Sequence, residues 1–123
     1  MSMKRIVLVE DDEIVARMYQ KAFSLRGFAV VVASDGEEGL GKIRQILPDL
    51  VILDVMMPKM NGLEVLDKLK HDQATKDIPV IMLTNLSLSE EVKLALENGA
   101  ARYLIKCENE PKRVLEIAQE LLK

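Results

Sequence analysis

Leu50-Val51-Ile52-Leu53-Asp54 is four apolar residues in a row, closed by a carboxylate. A strand with one face in water alternates apolar with polar residues. An unbroken run marks a strand covered on both faces, as in a parallel sheet between two layers of helices. The same reading holds on either side of it, at residues 6–9, 29–33, 80–83 and 103–105. The segments between these runs carry helical spacing instead. Ile14, Met18 and Ala22 beside Val15, Tyr19 and Phe23 predict a first helix, with Gly27 at the C′ position that ends it. Leu40, Ile43 and Leu47 predict a second, opened by Asp35 as N-cap with Glu38 three residues on. Gly39 and Gly41 are expected to weaken that helix by about 1 kcal/mol each relative to Ala. Leu63, Leu66 and Leu69 predict a short third helix, and a fourth is expected near 89–98, stopping at Gly99. The fifth carries Val114, Ile117, Ala118 and Leu121, with Asn109 as its expected cap. Each connection is long enough for a right-handed crossover. The expected fold is therefore a three-layer α/β sandwich, (βα)5, with residues 1–123 as one domain.

Composition narrows the function. The 123 residues are 49% hydrophobic and 30% charged, with a net charge of −3. Direct nucleic-acid binding would need a basic face and is not expected. No apolar run reaches the 18 residues of a membrane span, and the run after Lys4-Arg5 is too short for a signal peptide. The single cysteine, Cys107, cannot form an internal disulfide, which points to the cytoplasm.

Polar residues follow the strands. The first run ends in Glu10-Asp11-Asp12, the third in Asp54, the fourth in Thr84 and the fifth in Lys106. In open parallel sheets the site lies outside the carboxyl ends of strands, where strand order reverses. Five strands are expected in the order 2-1-3-4-5, so the reversal brings the acid cluster beside Asp54, with Thr84 and Lys106 flanking. Taken singly, each residue has a plainer use. Acids after a strand often cap the next helix, and Asp12 is expected to do only that. Together they form a cradle: clustered carboxylates need a cation, and a hard ion such as Mg²⁺ takes oxygen ligands. A lysine and a hydroxyl opposite would complete a phosphoryl site, which works by positioning and charge neutralisation. With no Cys, His or Ser beside a base at a strand end, the nucleophile must be a carboxylate.

Val7-Leu8-Val9-Glu10-Asp11-Asp12, Leu53-Asp54-Val55-Met56-Met57-Pro58 through Asn61-Gly62, Thr84, and Gly99-Ala100 through Tyr103-Leu104-Ile105-Lys106 resemble the receiver domain of two-component response regulators. The resemblance covers essentially the whole chain and implies a flavodoxin-like sandwich. It implies that Asp54 accepts a phosphoryl group from a histidine kinase or phosphotransfer protein. Mg²⁺ would be held by Glu10, Asp11, Asp54 and the Met56 main-chain carbonyl. Thr84 would hydrogen-bond the phosphoryl group, Lys106 would pair with it, and Tyr103 would be the aromatic switch. The output surface would be the face of the fourth helix, fifth strand and fifth helix, presented to a downstream domain or protein and able to dimerise on activation. Apart from transfer to itself and slow autodephosphorylation, no enzymatic activity is implied.

Two positions depart from the family pattern. Cys107 follows the lysine where proline across a cis bond is usual, so a trans Lys106–Cys107 bond is expected, since a cis bond without proline costs about 2.5–4 kcal/mol. Asn85 stands where a small residue is usual and is expected to narrow access to Asp54 or touch the phosphoryl group. Met56 and Leu86, two residues beyond the aspartate and the threonine, cannot orient water, so slow loss of the phosphoryl group is expected. Rival readings are weaker. A dehalogenase-like phosphatase would carry an acid at Met56, and a nucleotide- or flavin-binding protein would show a Gly-rich loop after the first strand. A degenerate receiver acting as a phosphorylation-independent binding module is the alternative. His71 reads as a solvated side chain, Met56, Met57 and Met60 as loop packing, and Met18 and Met82 as core.

Overall fold

The structure is a computed structural model that describes residues 3–86 and 89–123. Its elements alternate: β1 (Arg5–Val9), α1 (Glu13–Ser24), β2 (Ala29–Ala33), α2 (Gly36–Ile46), β3 (Leu50–Leu53), α3 (Gly62–Lys70), β4 (Val80–Thr84), α4 (Ser89–Glu97), β5 (Arg102–Ile105) and α5 (Pro111–Leu121), with a short 3₁₀ turn at Lys106–Glu108 before α5. The five strands form one sheet in the order β2-β1-β3-β4-β5, every pair parallel. Among the described residues, no helix is long and apolar enough to cross a membrane.

The unbroken apolar runs of β1, β3 and β4 have the cause inferred for them, whereas β2 and β5, at the two edges of the sheet, are only half-buried. Along β1, Val7 and Val9 pack with α2 and α3, while Ile6 and Leu8 pack with α1 and α5. The same split divides Val51 and Leu53 from Leu50 and Ile52, and Val80 and Met82 from Ile81 and Leu83. Successive side chains thus reach opposite faces, and both faces are dry.

Helix ends follow local chemistry. Asp12, Asp35 and Asn61 cap α1, α2 and α3, their side chains accepting from Ile14 and Val15, Glu38, and Glu64 main-chain N–H groups. Gly27, at φ 89°, closes α1: its N–H reaches Ser24 O at 3.0 Å and Phe28 N–H reaches Phe23 O at 3.2 Å, the two crossed bonds of a Schellman closure.

Four expectations need correction. Ile14 and Met18 are 81% and 47% exposed, and the buried stripe of α1 is Ala16, Tyr19 and Phe23. Apolar residues flanking a helix face fit the periodicity without lying under it. Leu47 is not part of the buried stripe of α2: it is the cap in the left-handed region, at φ 51°, because Pro48 cannot continue the helix. Asn109 does not cap α5, which starts from Glu110 with Pro111 in its first turn; its amide donates to Ile105 O instead. Gly39 and Gly41 are not equivalent. A Cβ at Gly39 would lie 2.7 Å from a methyl of buried Val9, whereas one at Gly41 would meet nothing within 4 Å. Gly41→Ala is accordingly expected to raise stability by about 1 kcal/mol, and Gly39→Ala to lower it by about 1–3 kcal/mol through overpacking, both read from denaturant melts.

Candidate functional site

The strand order places β1 beside β3, and main-chain bonds fix the first residue beyond each. Glu10 N–H donates to Ala33 O at 2.9 Å and Asp54 N–H to Val9 O at 3.2 Å. Both carboxylates are buried, at 4% and 6% exposure. From the end of β5, Lys106 reaches across β4: its Nζ donates to Asp54 Oδ2 at 2.7 Å and to Glu10 Oε1. The remaining oxygens are also held. Asp54 Oδ1 accepts from Met56 N–H at 3.1 Å, and Glu10 Oε2 from Asp12 N–H at 3.1 Å. Asp12 otherwise only caps α1, as expected.

Carboxylate oxygens of Glu10, Asp11 and Asp54 lie within 4.8 Å of one another, Asp11 on the exposed side. Two buried carboxylates thus share one ammonium, with the Asp11 carboxylate beside them. Burial pushes the Glu10 carboxyl above its ordinary range, against the pull of the Lys106 ammonium and the Asp12 amide. Burial would lower Lys106, but its bonds to Asp54 and Glu10 outweigh that and hold the ammonium above its usual value. The donor set is all hard oxygen, its net charge is negative, and it opens to solvent at Asp11. That combination suits a hard divalent cation.

Thr84 ends β4, 1% exposed, and its Oγ1 accepts from Leu86 N–H at 3.3 Å. The hydroxyl proton is left to donate elsewhere. Tyr103, on the α2–α4 side of the sheet, donates its hydroxyl to Leu86 O at 2.8 Å. Burial, and then the negative charges of Glu91 and Asp54, push the Tyr103 phenol up. Among the described residues there is no cis peptide bond, so Lys106–Cys107 is trans. Asn85 does something unforeseen: its Oδ1 accepts from Cys107 N–H at 3.0 Å.

The loop from Asp54 to α3 closes back on the site. Gly62 N–H donates to Val55 O at 2.9 Å, and a Cβ at Gly62 would lie 2.0 Å from Asp54 O. A Cβ at Gly36 would likewise lie 1.9 Å from Met60 O. Met57 and Met60 pack against the core, but Met56 is 63% exposed at the rim and does not share in that packing. His71 is a solvated side chain whose Nδ1 lies 2.8 Å from Asp67 O. Sequence reasoning missed Leu86 as the point where Thr84 and Tyr103 meet, because its part is played by main-chain atoms. Asn61 could have been found, since an Asn three residues before Glu64 is a cap signal.

A family model described as the response regulator receiver domain matches residues 6–119. A crystallised CheY-like receiver domain protein from Methanospirillum hungatei is 30% identical, covers 98% of this chain and 94% of its own, and superposes with a TM-score of 0.92. The probable transcriptional regulator ycf27 of Guillardia theta is 39% identical over 103 residues, 84% of this chain and 39% of its own length. The DNA-binding response regulator MtrA of Mycobacterium tuberculosis H37Rv is likewise 39% identical over 84% of this chain and 44% of its length. The chain thus spans roughly two fifths of the curated relatives it matches. On the match over residues 6–119, the chain belongs to the receiver domain family of two-component response regulators.

Proposed function

We propose that this receiver takes a phosphoryl group onto Asp54 from a phosphohistidine of a histidine kinase or phosphotransfer protein. The observation that carries the reading is the buried carboxylate of Asp54 held 2.7 Å from the Lys106 ammonium, with Glu10 and Asp11 oxygens beside it. An Asp54 oxygen attacks phosphorus, the P–N bond breaks, and the leaving imidazole takes up a proton. Glu10, Asp11, Asp54 and the Met56 carbonyl would hold Mg²⁺, which when bound supplies positive charge to the phosphoryl oxygens. Lys106 supplies a second positive charge from the protein. Thr84, whose hydroxyl proton is not committed to Leu86, donates to a phosphoryl oxygen. Any shift of Thr84 reaches Tyr103 through Leu86, and from there the surface of α4, β5 and α5 that a downstream domain or partner would read.

Incubation with acetyl phosphate and Mg²⁺, followed by intact-mass measurement, tests the reading. Wild type is expected to gain one phosphoryl group and Asp54→Asn none. No gain from any donor would instead favour a phosphorylation-independent binding module. A second expectation concerns lifetime. Met56 at the rim and Leu86, packed against the core, place no hydrogen-bonding side chain to align a water. Polar substitutions at both positions should shorten the phosphoryl lifetime, followed by decay of the mass shift; an unchanged or longer lifetime would refute it.

A further inference from the structure

Lys106 lies just past the sheet. The last register pair between β4 and β5 is Thr84 with Ile105, so no ladder partner fixes the chain beyond it. What holds the segment is a 3₁₀ turn and two asparagine side chains. Asn109 Nδ2 donates to Ile105 O at 3.0 Å from the α5 side. Asn85, the first residue beyond β4, accepts from Cys107 N–H at 3.0 Å. The side-chain oxygen of Asn85 thus stands where a further rung of the ladder would be. The bond depends on both residues: position 107 must keep a main-chain N–H, which proline would lack, and position 85 must carry an acceptor of this reach. The two departures from the family pattern are bonded to each other.

Resting on the function proposed above, we infer that Asn85 is a positioning residue for phosphoryl transfer, acting through Lys106 by clasping the Cys107 main chain. Thr84 needs no such help, because it is paired with Ile105 of β5 and its hydroxyl accepts from Leu86 N–H. The Lys106 ammonium has to sit between Glu10 and Asp54, and a long flexible side chain keeps that place only if its own main chain is anchored.

The test measures the phosphorylation rate with acetyl phosphate and Mg²⁺, together with amide hydrogen exchange at Cys107 in the absence of any donor. Asn85→Ala is expected to slow phosphorylation roughly 3- to 10-fold, the worth of one neutral hydrogen bond, and to speed Cys107 amide exchange by a similar factor. Asn85→Asp retains an acceptor and is expected to keep the amide protected. In a Lys106→Ala background, Asn85→Ala should cause no further slowing, which a general loosening of the loop would not produce. An unchanged rate in Asn85→Ala, or the same slowing with and without Lys106, would overturn the clasp while leaving the receiver reading intact. Failure of wild type itself to take up phosphate would overturn both.

Discussion

Lys106→Ala is expected to lose about 2–3 kcal/mol of stability in metal-free buffer, a fall in melting temperature of roughly 10 °C, and to regain part of it on adding Mg²⁺. The cause is uncompensated charge. Glu10 and Asp54 are buried side by side and share the one ammonium, whose side chain is 15% exposed. Removing one partner of a buried ion pair costs about 3–5 kcal/mol, and the residual exposure of Lys106 discounts that figure. A divalent cation that binds only the folded state returns about 1.4 kcal/mol at ten times its dissociation constant. The pH dependence has a definite sign. The raised Lys106 value means its stabilisation is complete below lysine's ordinary 10.5 and is lost as pH rises through the higher folded value. Wild type should therefore lose stability at the alkaline end more steeply than Lys106→Ala. A variant as stable as wild type without metal would mean that the carboxylates are not held by this lysine.

Gly62→Ala is expected to be, with Gly36→Ala, one of the two most damaging glycine-to-alanine changes, and the one that bears directly on Asp54. The added carbon would sit 2.0 Å from Asp54 O, 2.8 Å from its carbonyl carbon and 2.9 Å from Val55 Cα. All three are main-chain atoms, and Asp54 is tied to Val9 O by its own N–H. Relief requires moving either the start of α3 or Asp54 itself. A loss of about 3 kcal/mol or more, at the upper end for overpacking, should be accompanied by a drop in phosphoryl uptake larger than instability alone produces. Calorimetry and phosphorylation measured well below the melting temperature separate the two. A variant with normal uptake would show that the loop yields without disturbing Asp54.

The fold was legible because its main signal is coarse. Continuous apolar runs at residues 50–53 and 80–83 specify strands buried on both faces, and a covered parallel sheet has few alternatives. The juxtaposition of Glu10, Asp11, Asp54 and Lys106 was legible for a related reason: strand order carries the residues after β1, β3 and β5 to one edge, with Thr84 ending the strand between β3 and β5. Details resting on small angular differences were not legible. Ile14 and Met18 fit a helical stripe but lie outside it, and Asn109 stands one residue short of the N-cap position, which Glu110 occupies. Contacts made by main-chain atoms leave no mark in side-chain pattern at all. That is why the part of Leu86, the closeness of Gly62 to Asp54 and the bond from Cys107 to Asn85 emerge only from coordinates.

The most direct measurement locates the modified atom. After exposure to acetyl phosphate and Mg²⁺, borohydride reduction converts an aspartyl phosphate into homoserine, which peptide mapping places in the chain. Homoserine is expected at position 54 and nowhere else, dependent on Mg²⁺. Homoserine at position 11 or 12, or its appearance in Asp54→Asn, would contradict the assignment of the phosphoacceptor.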